Sequence, residues 1–197
     1  MWKQDKDFAK LQARAKSYTI IPPANLFVIY RLALRTNMIF PGSNIAEIGV
    51  FKGGSGMVLA EAAPSCHIHL FDTFEGMPET NEKDNYCWKG MLKTPNAENT
   101  IAMLDEYKNT TIYKGRFPET ADSIRDLTFS FVHIDVDIYQ STKDCLEFFY
   151  PRLFSNGIVV CDDYFFPKTE GARIAVDEYF KGSNVPVAFN HQGVIIK

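Results

Sequence analysis

An α/β fold, a doubly wound and mostly parallel sheet of about seven strands with helices on both faces, is what this sequence predicts, and three observations predict it. From residue 44 onward, short apolar runs alternate with longer amphipathic segments, the pattern of a sheet wrapped by helices. Two runs, Phe131-Val-His133-Ile134 and Ile158-Val-Val-Cys161, read as buried parallel strands and pass directly into acids, Asp135 with Asp137 and Asp162 with Asp163. An earlier run, Ile45-Ala-Glu47-Ile, opens into the glycine turn Gly49-Val-Phe-Lys-Gly53-Gly54-Ser55-Gly56. Open α/β sheets bind ligands at the carboxyl ends of their strands, so these acids and glycines are expected to meet at one edge.

The elements follow in order. Residues 1–16 mix charge with small apolar groups and predict a polar helix or a partly loose arm. After Pro22-Pro23, residues 25–36 carry Leu26, Ile29, Tyr30, Ala33 and Leu34 at helical spacing, and Pro41-Gly42 ends that pattern. Strands are expected near 44–49, 67–72, 111–115, 129–135 and 157–162, and helices near 54–63, 98–108, 119–125, 141–152 and 170–181. Pro186 to Asn190 and Val194 to Ile196 predict a closing antiparallel hairpin across His191-Gln192-Gly193. Glu75 to Asn99 breaks the alternation: it is long and rich in Pro, Asn, Glu, Lys and Gly, and it is expected to serve as a lid or substrate wall. The whole, 1–197, reads as one domain whose first 40 residues are a helical segment.

Composition narrows the function. With 46% hydrophobic and 23% charged residues, the chain is an ordinary globular one, and a formal charge of -3 without basic runs offers nothing to nucleic acid or an anionic membrane. A small-molecule partner is expected. The charged opening Met-Trp-Lys-Gln-Asp-Lys-Asp is unlike a signal peptide, and Pro22-Pro23 interrupts the apolar stretch from Tyr18 to Tyr30, so a cytoplasmic location is expected. The four cysteines form no Cys-x-x-Cys pair and read as buried free thiols. A homodimer is the default oligomer.

Three carboxylates in one cleft need a cation or a shared proton, because two unit charges about 4 Å apart repel by roughly 4 kcal/mol near a protein surface. Oxygen ligands favour magnesium, manganese or calcium over zinc, so the strand-end acids Asp135, Asp137, Asp162 and Asp163 together suggest a metal site, although a lone Asp at such a position more often caps a helix. The glycine turn lets a ligand approach the backbone, but its spacing is Gly-x-x-x-Gly-Gly rather than the dinucleotide Gly-x-Gly-x-x-Gly. Asp72, at the end of the next strand, is placed either to accept from ribose hydroxyls or to cap a turn. Glu47 is placed either to hold a ligand ammonium or to pair with Lys52. Tyr86, Trp88, Met91, Tyr139, Tyr164, Phe165 and Phe166 are candidates for an aromatic wall, or for plain packing.

The motifs Glu47-Ile-Gly49-Val-Phe-Lys-Gly53-Gly54-Ser55, Phe71-Asp72-Thr-Phe-Glu-Gly-Met-Pro78, Gly115-Arg-Phe117, His133-Ile-Asp135-Val-Asp137-Ile-Tyr139 and Asp162-Asp163-Tyr164 together resemble the macrocin O-methyltransferase (TylF-type) family, as does the segment Gly171 to Asp177. The resemblance implies a class I methyltransferase fold of Rossmann-like type that uses S-adenosylmethionine and a divalent metal, usually magnesium, on a hydroxyl acceptor that is often a sugar. It assigns Asp135, Asp162 and Asp163 to the metal and Asp72 to the ribose. It assigns Glu47, Gly49, Gly53, Gly54 and Ser55 to the methionine end of the cofactor and Gly115 to the adenine. Ile138 stands where the related catechol O-methyltransferase arrangement has a lysine base, which leaves Asp135, with His133 as alternative, as the expected proton acceptor. Two other readings compete: a glycosyltransferase holding a metal through Asp135-Val-Asp137, and a catalytically silent scaffold that only binds the cofactor.

Overall fold

The computed structural model describes residues 2–182 and 186–197. Helix α1 (Lys6–Ala15) starts where the Asp5 carboxylate accepts the Phe8 amide at 3.0 Å, and it buries Phe8, Leu11 and Ala15. The N-terminal stretch is therefore docked through one apolar face: Phe8 packs edge-on against Phe27 of α2 (Pro23–Ile39), with ring centres 5.0 Å apart. Full burial of such a side chain stabilises by about 1.5–3 kcal/mol.

The sheet comprises β1 (Asn44–Ile48), β2 (His67–Asp72), β3 (Thr110–Lys114), β4 (Phe129–Ile134), β5 (Leu153–Cys161), β6 (Val187–Phe189) and β7 (Gln192–Ile196) in the order β3-β2-β1-β4-β5-β7-β6. The first five pair in parallel, and β7 pairs antiparallel with both β5 and β6, as the alternation and the closing hairpin predict. Helices α3 (Gly54–Ala62), α4 (Ala97–Asp105), α5 (Tyr139–Arg152) and α6 (Glu170–Phe180) provide the crossovers. Side chains alternate between two cores. Ile45, Leu70, Phe131 and Val160 pack with α1, α2 and α3, while Ala46, Phe71, Val132 and Val159 pack with α5 and α6.

Beyond shifts of about three residues at the ends of α2 and α4, three features differ from expectation. Residues 119–125 form only a short 3-10 turn, Asp122–Ile124, in which the Ala121, Ile124 and Arg125 amides donate to carbonyls three residues back, to Pro118, Ala121 and Asp122, instead of four. Strand β5 begins at Leu153 rather than near 157, immediately after α5. Gln192 and Gly193, assigned to the hairpin turn, are instead the first residues of β7 and pair with Phe189 and Ala188.

Beyond the strands, the parallel ladder runs one residue further. Gly49 N donates to Phe71 O, Asp135 N to Ile48 O, and Asp162 N to Ile134 O, each at 2.9 Å. This extension sets Gly49, Asp135 and Asp162 side by side at the carboxyl edge. Gly49 has φ +93°, and a Cβ there would lie 1.8 Å from the Asp135 carbonyl oxygen. Only glycine permits that approach.

Two predictions follow from this framework. Gly49→Ala should lower unfolding free energy by about 2 kcal/mol or more, combining left-handed strain with the clash; a urea midpoint equal to that of the parent would show that the two strand ends separate freely. His69, buried on β2 between Tyr113 Oη at 3.0 Å and Asn44 Oδ1 at 3.1 Å, has its pKa lowered from 6.5 to about 4 by burial and by neighbouring His67. The unfolded chain protonates this imidazole first, so its contribution is present above pH 6.5 and is lost as pH falls toward 4. The stability difference between the parent and His69→Gln should shrink over that window by up to about 3 kcal/mol, measured by denaturation at stepped pH; a constant difference would contradict the neutral buried imidazole.

Candidate active site

A cleft of about 290 Å³ opens across the carboxyl ends of β1, β2, β4 and β5, where the ladder extension leads one to look. Gly49, Ser55, Asp72, Gly115, Asp135, Asp162 and Asp163 line it, as does Asp137. The segment Tyr18 to Pro22, Asn25 and His191 line it too, and none of these was singled out as a site residue from sequence. Their common property is placement by chain crossings distant in sequence, which leaves no local pattern to read.

Asp72 organises the donor side of the cleft. Its Oδ2 accepts the Val50 and Phe51 amides at 2.8 and 2.7 Å, and its Oδ1 accepts the Phe74 amide at 2.7 Å. Burial pushes its pKa up while these backbone donors pull it back. The two amides fill Oδ2, while Oδ1 accepts only the Phe74 amide and keeps one acceptor position for a hydroxyl, so the turn-capping and ribose readings are compatible. Gly115, at φ +140°, continues the edge by donating to Asp72 O at 2.9 Å.

Four residues expected in the site lie behind the cleft wall. Gly53, at φ +90°, begins α3 and faces Met103 and Leu104, while the Gly54 amide is taken by Tyr18 O at 2.9 Å. Both glycines permit close packing against neighbouring chain rather than lining the cleft. Glu47 and His133, register partners on β1 and β4, are fully buried on one face of the sheet. Glu47 is not paired with Lys52; its Oε1 meets His133 Nδ1 at 2.9 Å. The same imidazole reaches Asp162 Oδ1 through Nε2 at 3.5 Å. Burial favours its neutral form, but the contacts with Asp162 and Glu47 outweigh this and raise its pKa to about 10. An imidazole between two carboxylates satisfies both only with two N–H donors. His133 is therefore a buried bridge with no access to an acceptor hydroxyl. Glu47 Oε2 has no hydrogen-bond partner and lies 3.1 Å from where a Gly56 Cβ would sit, so one buried acceptor at the start of α3 fits an ammonium group.

The acid cluster is crowded. Burial together with the charges of Asp162 and Asp137 raises Asp135 well above the usual carboxylate range, and burial with Asp137 and Asp135 does the same to Asp163. Burial and Asp162 push Asp137 up to about 7. Asp135 and Asp137 are not a same-face strand pair, because β4 ends at Ile134 and Asp137 adopts φ +61° while its amide donates to Asp163 Oδ2 at 3.0 Å. Among the described residues, no three His, Cys, Asp or Glu side chains stand at metal-ligand geometry. The donor set nevertheless fits a hard divalent cation in its chemistry, being all oxygen and too crowded to ionise fully without a compensating charge.

Segment 75–99 covers one side. Its Gly76, Met77, Pro78 and Leu92 line the cleft, whereas Tyr86 and Trp88 face outward at 60% and 63% exposure. Asp84 anchors it: Oδ1 accepts the Tyr139 amide at 2.8 Å at the start of α5, in space left by Gly171. Lys83 sits 3.6 Å above the Tyr139 ring and pairs with Glu178 at 3.0 Å. Of the candidates for an aromatic wall only Phe166 lines the cleft, where Tyr18, Phe51, Phe71 and Phe117 join it; Tyr164 is buried and donates to Asp177 Oδ1, and Tyr139 donates to Glu178 Oε2. Cys66, Cys145 and Cys161 are buried free thiols, while Cys87 is half-buried. No described helix is long and apolar enough to cross a membrane.

Known proteins share this architecture. CalS11, a calicheamicin methyltransferase, superposes with a TM-score of 0.77 over 98% of this chain and 92% of its own, at 19% identity. The O-methyltransferase NovP gives 0.74 over 91% and 82%, also at 19% identity. In sequence, an 8-demethyl-8-(2,3-dimethoxy-alpha-L-rhamnosyl)-tetracenomycin-C 4'-O-methyltransferase of Streptomyces olivaceus is 29% identical over 156 residues, covering 71% of this chain and 58% of that protein. A demethyldecarbamoylnovobiocin O-methyltransferase of Streptomyces niveus is 27% identical over the same coverage. The chain thus spans about 58% of the length of these curated relatives. The model of the macrocin O-methyltransferase (TylF) family matches residues 33–192, from α2 through the first residue of β7, and the chain belongs to that family.

Proposed function

We propose that the protein is an S-adenosylmethionine-dependent O-methyltransferase acting on a hydroxyl of a sugar or glycosylated small molecule, with a divalent cation, magnesium or manganese, held by Asp135, Asp162 and Asp163. The observation that carries this reading is a single cleft bounded by the bare Gly49 backbone and Asp72 on one side and by four aspartates on the other. Relatives named as sugar-modifying and antibiotic O-methyltransferases support the acceptor class. They also favour a methyl donor over a nucleotide sugar.

The chain's own tasks are placement and proton handling. Asp72, with the Val50, Phe51 and Phe74 amides fixed on its carboxylate, shapes the ribose end, and Glu47, behind the cleft wall, holds His133 through Oε1 while Oε2 stays unpaired beside Gly56. The cofactor brings an activated methyl, and a divalent cation at the acids would acidify the acceptor hydroxyl. Of the two proton acceptors expected, Asp135 and His133, only Asp135 opens on the cleft, where Asp137 joins it. Segment 75–99, pinned through Asp84, excludes water from one side and keeps the reacting atoms in line.

Asp162→Ala should reduce methyl transfer to background while leaving S-adenosylhomocysteine affinity nearly intact, and EDTA should reproduce the loss in the parent. Assays with labelled cofactor and a panel of glycosylated acceptors, beside calorimetry, would check both. Turnover that persists undiminished in the variant or in EDTA would remove the metal from the reading.

A further inference from the structure

Gln192 opens β7, is fully buried, and has no place in the functional reading above. Its Nε2 donates to Asp162 Oδ1 at 2.5 Å and to the Asn25 carbonyl at 3.4 Å, so both amide hydrogens have acceptors. Its Oε1 has none. Turning the amide over would set Oε1 against a carboxylate oxygen, so charge dictates this orientation. An apolar side chain of equal volume would fill the space without an orphan oxygen, so packing alone does not account for an amide here.

The frame around it is equally specific. Asn25 on α2 is 2% exposed, and its Oδ1 accepts Asn190 Nδ2 at 3.0 Å, which ties the hairpin tip to the helix. From β4, His133 Nε2 approaches the same Asp162 Oδ1 at 3.5 Å, and Glu47 holds the other side of that imidazole. Two donors converge on Oδ1, which leaves Oδ2 as the oxygen Asp162 offers to the cleft it lines.

We infer that Gln192 is a positioning residue for the acid cluster, its amide turning the Asp162 carboxylate so that Oδ2 is presented to a divalent cation. The inference rests on the proposed reading of the acids as a cation site. It extends the site to the C-terminal hairpin, where neither the glycine turn nor the strand-end acids led.

The test uses Gln192→Met, which keeps the volume and removes the donor, and Gln192→Asn, which withdraws it by one methylene. Manganese binding is followed by electron paramagnetic resonance, S-adenosylhomocysteine binding by calorimetry, and folding by melting temperature, each on the full chain. The expected result is a manganese dissociation constant raised about 10- to 100-fold in both variants, the usual cost of losing a residue that orients a metal ligand, with S-adenosylhomocysteine affinity unchanged. Equal manganese affinity in the parent and both variants overturns the inference. So does a parallel loss of both affinities in both variants, which is the signature of a merely structural residue. A parent that binds S-adenosylhomocysteine but no manganese refutes the cation site and this inference together, and a parent that binds neither refutes the whole functional reading.

Discussion

The site depends on the approach of two strand ends, where the Asp135 carbonyl oxygen occupies the volume a side chain at position 49 would need. With glycine there, β1 and β4 stay in register one residue past their formal ends, and the Asp135 amide remains tied to Ile48 O. That tie aims the next residues, through the left-handed Asp137, toward the acids that follow β5. A bulkier residue would part the strands where the cleft needs them joined.

Charge is the second constraint, and its solution is layered. Four aspartates crowd the cleft, and behind them the buried His133 lies between Glu47 and Asp162 as a permanent partner to both. An uncompensated buried carboxylate costs several kcal/mol, and the imidazole shared between two of them reduces that cost without occupying the cleft. Gln192 adds a neutral donor on the same Asp162 oxygen. The acids facing the cleft are left with repulsion that a bound cation would relieve.

Segment 75–96, ahead of α4, shows how a loop without regular structure acquires a fixed path, the expected loop having ended three residues earlier where α4 begins. Its composition predicts only that it is long and polar. Its position comes from single contacts at well-separated points: Asp84 at the start of α5, Thr94 Oγ1 on the Phe51 carbonyl at 3.0 Å, and Lys83 over Tyr139. The outward Tyr86 and Trp88 follow from that path, because the anchoring residues take the inward positions.

The sequence by itself determined the fold class, the order of elements along the chain, and the polar and glycine residues at the strand ends of the cleft: Gly49, Asp72, Gly115, Asp135, Asp162 and Asp163 all sit where parallel strands must end. Those properties are local, carried by apolar periodicity and by the residue that closes each run. Tertiary structure alone decided that His133 pairs with Glu47 rather than reaching substrate, that Gly53 and Gly54 pack against chain, and that Asn25, Asp84 and Gln192 belong to the site's frame. These assignments depend on inter-strand register and on contacts between segments more than 50 residues apart in chain order, such as Asp84 with Tyr139 and Asn25 with Gln192. No periodicity within a single segment encodes which distant donor will meet which buried oxygen.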